Sequence, residues 1–125
     1  MKQLKQSYNI PAPAEEVYIA LTNPFTIELW SGYPAEMSTE PDSEFSLWEG
    51  DICGKNLEFK LNELVKQQWY FEGQDEPSVV SIQLRAKGES TSVELVHENI
   101  PDEAYEEMKE GWKDFYFGAL KKFFS

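Results

Sequence analysis

The last quarter of the sequence, Asp102 to Phe124, reads as one long amphipathic helix, and that helix limits what the rest of the chain can be. At about 1.5 Å per residue it would run roughly 34 Å, the width of a small domain, so its apolar face needs a broad concave surface beneath it. On an ideal wheel Ala104, Tyr105, Met108, Trp112, Phe115, Tyr116, Ala119 and Phe123 share one arc, with Glu106, Lys109, Glu110, Lys113, Asp114 and Lys121 mostly opposite. Pro101 supplies a stop and Asp102 a capping oxygen, while Glu103, Glu106 and Glu107 suit the positive end and Lys121 and Lys122 the negative one. Gly111 and Gly118 lie at one edge of the arc, a placement that suits close approach to a strand backbone. Phe117 and Phe124 fall on the charged back, where they need a loop or a second subunit to cover them.

The chain that must supply the concave surface has 125 residues, enough for one core and too few for two ordinary domains, so residues 1–125 are expected to form a single domain. A net charge of −12, with no Lys/Arg cluster to relieve it, repels phosphate backbones and anionic head groups and argues against nucleic acid and membrane surfaces as partners. Met1 to Ile10 alternates without an apolar signal core, and no run approaches the ~20 apolar residues of a membrane span, so the cytoplasm is the expected compartment. Cys53 and His97 are the only residues of their types, which excludes an internal disulfide and a multi-Cys zinc site; no metal or cofactor is expected. Cys53 has only Lys55 as a basic neighbour, too little to make a reactive thiolate.

Leu4, Tyr8 and Ile10 share one face of an alternating segment that ends at Pro11 and Pro13, a first strand. Val17, Tyr18 and Leu21 then fit a helical face closed by Pro24. A second short helix follows, capped by Asn23, started by Pro24, apolar through Phe25, Leu29 and Trp30, and broken at Ser31-Gly32. Beyond it, turn chemistry at Pro34, Pro41-Asp42, Gly50-Asp51, Asn62-Glu63, Gly73 to Pro77 and Lys87-Gly88 leaves room for six short strands. Leu57, Phe59 and Leu61 share a face against Asn56, Glu58 and Lys60. Val65, Trp69 and Phe71 do so against Lys66 and Gln68, Val80, Ile82 and Leu84 against Ser81, Gln83 and Arg85, and Val93 and Leu95 against Ser92 and Glu94. Such alternation implies an antiparallel sheet with one wet face and one buried face, and the long helix must lie on the buried one. The fold class is α+β.

Taken together, Phe45, Leu47, Trp48, Gly50, Ile52 and Gly54, then Val65 and Trp69, then Thr91, Val93, Leu95, His97, Ile100 and Pro101, then Gly111-Trp112, resemble the activator of heat-shock protein 90 ATPase homologue family, of the START-like (SRPBCC) helix-grip superfamily. The resemblance runs from Tyr8 to Phe123; Tyr70 departs from it, since the family commonly has a basic residue after this Trp. It implies a strongly bent sheet wrapped around the C-terminal helix, two short helices after the first strand, and a cavity that in the superfamily holds apolar small molecules. It also implies a stress-response setting and a chaperone as partner. The best-known members act through an additional N-terminal domain, and the single domain expected here weighs against a chaperone role.

The residues expected to line an apolar cavity are Trp30, Trp48, Phe59, Trp69, Phe71, Leu95, His97, Met108, Trp112, Phe115 and Tyr116. Seven of the rings at these positions are bulky enough to fill a core as readily as to line a pocket, since interiors pack near 0.75 density. His97 is in phase with Val93 and Leu95 and points inward, as a hydrogen-bonded core residue, a polar anchor for a ligand, or a general base; Glu98 points to the other face. No catalytic residue is assigned, because no Ser/His/Asp set, paired-carboxylate spacing or phosphate loop accompanies it. The acids from Asp102 to Glu110 read as a solvated face paired with Lys109 and Lys113, rather than as a metal cluster. The leading expectation is a non-enzymatic container for an apolar or aromatic small molecule, monomeric or weakly dimeric. A chaperone-associated interaction domain is the alternative, and a cyclase or hydrolase on the same fold the second.

Overall fold

A computed structural model describes every residue except Met1, Glu72 and Asp75. The break read over Gly73 to Pro77 therefore falls partly outside the described residues. Strand β1 (Lys2–Ile10) is followed by helices α1 (Ala14–Thr22) and α2 (Pro24–Ser31), then by β2 (Glu44–Leu47), β3 (Ile52–Lys60), β4 (Leu64–Trp69), β5 (Ser78–Lys87) and β6 (Ser90–Ile100). These form one antiparallel sheet in the order β1-β6-β5-β4-β3-β2. Residues 105–123 form a long helix in three parts, α3 (Tyr105–Gly111), a π-helical turn (Trp112–Tyr116) and α4 (Phe117–Phe123). The helix crosses the buried face from β1, which α3 and α4 both contact, to β4, where Trp112 stacks on Trp69. This is the expected helix-grip arrangement.

Among the described residues five strands, not six, follow the short helices. The segment after Pro34 contributes only a single bridge, Glu36 to Ser46, because the Ser38 carbonyl is taken by the Asn56 side chain and Asp42 turns the chain at φ 68°. Asn23 caps α2 as its type suggests, its Oδ1 accepting from the Phe25 and Thr26 amides at 2.9 and 3.1 Å. The buried side of α2 differs from the expected one. Ile27 and Trp30 face the core, whereas Phe25 and Leu29 are 79% and 71% exposed.

Two register shifts move faces that alternation alone places wrongly. In β3 a bulge between Asn56 and Glu58 turns Gly54 and Asn56 inward, opposite Trp69 and Gln67, and leaves Leu61 exposed in the turn. Gly54 is required there, since a Cβ would stand 1.9 Å from the Gln68 carbonyl oxygen. In the long helix the π turn inserts one residue, so the buried series continues as Trp112, Tyr116, Leu120, with Phe117 also wholly buried. Phe115 and Phe123, expected on the core arc, are exposed, and Phe117, expected on the charged back, stacks on Tyr8 at 4.6 Å. The two helix glycines keep no strand close. A Cβ on Gly111 meets nothing, and one on Gly118 would meet the Lys113 carbonyl oxygen of the π turn itself at 2.6 Å. The helix opens through a 3-10 turn, Asp102–Ala104, so Asp102 lies within that turn instead of capping from before it.

Candidate functional site

Trp69 at the end of β4 and Trp112 at the start of the π turn stack with centroids 4.6 Å apart and planes 25° from parallel. Each indole N–H feeds a buried polar chain, which fixes the two rings from behind. Trp112 Nε1 donates to His97 Nδ1 at 3.1 Å, and His97 Nε2 meets Ser78 Oγ at 2.8 Å. An indole can only donate, so Nδ1 accepts and the ring proton sits on Nε2; the Ser78 hydroxyl passes the chain on to the Glu98 carbonyl at 3.0 Å. Trp69 Nε1 donates to Gln67 Oε1 at 3.1 Å, Gln67 Nε2 to Asn56 Oδ1 at 3.0 Å, and Asn56 Nδ2 to Ser38 O and Ser43 Oγ, both at 3.1 Å. Unpartnered, these buried groups would each cost about 1–3 kcal/mol, so the chains hold the tryptophans in one orientation.

In front of this pair lies a cleft of about 680 Å³, open to solvent, between α3 with the π turn on one side and the β2–β3 connection on the other. Of the residues expected to line a cavity, Trp48, Trp69, Met108, Trp112, Phe115 and Tyr116 do so. Trp30 sits one row behind, 5.0 Å from the Tyr116 ring and 5.9 Å from Trp48, with its own N–H donated to the Ala20 carbonyl. Leu95 and His97 lie wholly buried beneath the helix, and Phe59 and Phe71 are half-buried against the core, all four away from the cleft. Packing explains the displacement: Trp112 of the helix stacks on Trp69 and bonds to His97, which covers the inner face of β4 and β6, and the cleft opens beside the β2–β3 connection. Sequence reasoning missed Tyr33, Asp51, Ile52, Glu107, Glu110 and Gly111. Their common signal is position, in the turns after α2 and β2 and on the helix face one turn before Trp112.

The electrostatics separate buried framework from open cleft. Burial holds the His97 imidazole down at about 4 and neutral, and with both nitrogens engaged it is a core partner of Trp112. Burial raises the Tyr116 phenol far above its usual range. Tyr8, its hydroxyl bonded to Gln6 Oε1, is pushed up to about 12 by burial and then by the Asp114 charge. Among the described residues no group of His, Cys, Asp and Glu could hold a metal ion, and Glu106 and Glu110 make no ion pair with Lys109 or Lys113. No helix among them is long and apolar enough to cross a membrane.

The sequence model of the "Activator of Hsp90 ATPase homolog 1-like protein" family matches residues 11–125, and the chain belongs to that family. The mouse "Activator of 90 kDa heat shock protein ATPase homolog 1" is 23% identical over 112 residues, 88% of this chain and 33% of that protein. The chain spans about a third of the length of the curated relatives it matches. The crystal structure of an HSP90 activator from Plasmodium falciparum superposes with a TM-score of 0.89 at 23% identity, covering 98% of this chain and 95% of that one. The solution structure of the Aha1 dimer from Colwellia psychrerythraea does so with a TM-score of 0.86 at 20% identity, covering 99% and 96%. At these identities the structural likeness carries the fold alone.

Proposed function

We propose that this member of the Activator of Hsp90 ATPase homolog 1-like family is a non-enzymatic container whose cleft takes an apolar or aromatic small molecule. The observation that supports the reading most is the combination of an open volume of about 680 Å³ with an aromatic lining, Trp48 and Phe115 in front of a buried tryptophan pair held rigid by hydrogen bonds. That volume lies within the roughly 300–1,000 Å³ of ordinary ligand sites, and immobile rings give up little entropy on binding. Residues 1–125 would act as one domain, monomeric or weakly dimeric, in the cytoplasm.

Gly111 offers a test with little cost to the fold. It borders the cleft, its φ of −61° is helical, and a Cβ there meets nothing. Gly111→Leu should therefore plug the cleft while stabilising the helix by up to about 1 kcal/mol. Native mass spectrometry of freshly purified protein, and melting shifts with a library of apolar and aromatic compounds, should find ligands that the plugged variant no longer holds. A library that binds both proteins equally would move the site elsewhere.

A second reading, a chaperone-associated interaction domain, is favoured by the family's name and by the exposed pair Phe25 and Leu29, one turn apart on α2. It expects this chain to bind a heat-shock protein 90 chaperone and change its ATP hydrolysis, with Phe25→Ser/Leu29→Ser weakening the effect. Unchanged turnover at micromolar concentrations of the chain would remove it.

A further inference from the structure

We propose that the cleft selects organic cations: a molecule whose apolar body lies against Trp48 and Phe115 and whose ammonium group sits at the acidic rim. The inference rests on the cleft being a binding site and adds the charge class of its occupant. Every charged side chain that lines it is an acid, Asp51 from the β2–β3 connection and Glu107 and Glu110 from α3. Glu107 and Glu110 are three residues apart and so share a helix face. Among the described residues no Lys or Arg pairs with any of the three, whose charges are left to solvent or to a ligand.

The rings point to the same class. Of the rings that line the cleft, Phe115 is 69% exposed and Trp48 is half-buried, so these two are open to a ligand, while Trp69, Trp112 and Tyr116 back them from the core. Ring faces carry negative potential and attract a cation within about 6 Å of the centroid. An anion would meet both the ring faces and three carboxylates of its own sign. A compact metal ion is disfavoured too, because the carboxylates border the opening without forming a metal-binding group. A broad, weakly hydrated ammonium suits charges spread around a rim that also carries exposed aromatic surface.

Three probes with one apolar body separate the charge claim from the container claim: (2-naphthylmethyl)trimethylammonium, its uncharged isostere 2-neopentylnaphthalene, and 2-naphthylmethanesulfonate, each followed by quenching of the cleft tryptophans in low salt. The cation should bind at least tenfold tighter than the neutral probe, and the sulfonate should not bind. Asp51→Asn/Glu107→Gln/Glu110→Gln should bring the cation down to the neutral probe's affinity and leave the neutral probe unchanged. A charge-matched control, Glu15→Gln/Glu16→Gln/Glu28→Gln on exposed positions of α1 and α2, should change neither, which separates the rim from the overall charge of −12. Equal binding of cation and neutral probe overturns the cation proposal and keeps the container. An equal loss in the control triple also overturns it, by assigning the preference to the whole molecule. Binding of none of the three overturns both.

Discussion

The two halves of the long helix meet the sheet in opposite ways. In α4, beyond the π turn, Phe117 and Leu120 are wholly buried, stacked on Tyr8 and packed beside α2. In α3, before the π turn, no residue is buried, and Met108, Glu107, Glu110 and Gly111 face the open cleft. One continuous helix is thus core scaffold at one end and the wall of an open cleft at the other, with the inserted residue between them. The difference teaches that incomplete packing at the α3 end is local, because the same helix reaches full packing two turns later.

Substitutions on either side of the π turn can break that contrast. The largest effect is expected at Phe117, where truncation to Ala should cost about 3–5 kcal/mol in urea unfolding, as for a large side chain lost from a packed core. A cost below about 1 kcal/mol would mean that the α4 end is no better packed than the α3 end.

Next comes the His97 framework under Trp112. The folded imidazole is held down at about 4, whereas in an unfolded chain it titrates near 6.5, so the unfolded chain takes up the proton first. The stability contributed by neutral His97 is therefore complete above about pH 6.5 and is lost as pH falls toward 4, by up to about 3 kcal/mol. Unfolding measured from pH 7.5 to 4.5 should show a fall that His97→Gln lacks. Parallel curves for the two proteins would place the ring in a wetter setting.

At the π turn itself two effects oppose each other. Propensity alone says that Gly118→Ala stabilises a helix by about 1 kcal/mol. The Lys113 carbonyl oxygen, 2.6 Å from the new Cβ, says that it costs about 1–3 kcal/mol. Net destabilisation in a melting curve is expected, and net stabilisation would mean that the turn relaxes to an ordinary helix freely. The smallest effect is expected at Phe115, 69% exposed, where Ala should change stability by no more than about 0.5 kcal/mol while weakening ligands in the cleft.

These contrasts also mark where the sequence was legible. Strict alternation in Val80, Ile82, Leu84 and Val93, Leu95, His97 placed β5 and β6 with the correct inner face, and the cap and proline of α2 placed its start. The wheel misplaced Phe115, Phe117 and Phe123, though not Tyr116, because a fixed angle per residue cannot register an inserted one. The signal available was Gly118, costly in a helix interior, together with the spacing of four from Trp112 through Tyr116 to Leu120. Asn56 looked outward because the bulge beside it is invisible to a period of two, and Gln67 went unweighed between Val65 and Trp69 although it shares their face. The acidic rim was read as a solvated helix face because Asp51 is remote from Glu107 and Glu110 in sequence and joins them only in the fold.

The central claim, a helix divided between scaffold and binding wall, is tested most directly by an amide and indole NMR titration of the intact chain with (2-naphthylmethyl)trimethylammonium. The account predicts shifts at Trp48, at residues 107–116 and at the indole N–H groups of Trp69 and Trp112, with Val17, Phe117 and Leu120 unmoved. Shifts centred on Phe25 and Leu29, or spread evenly through α4 and the core, would contradict it.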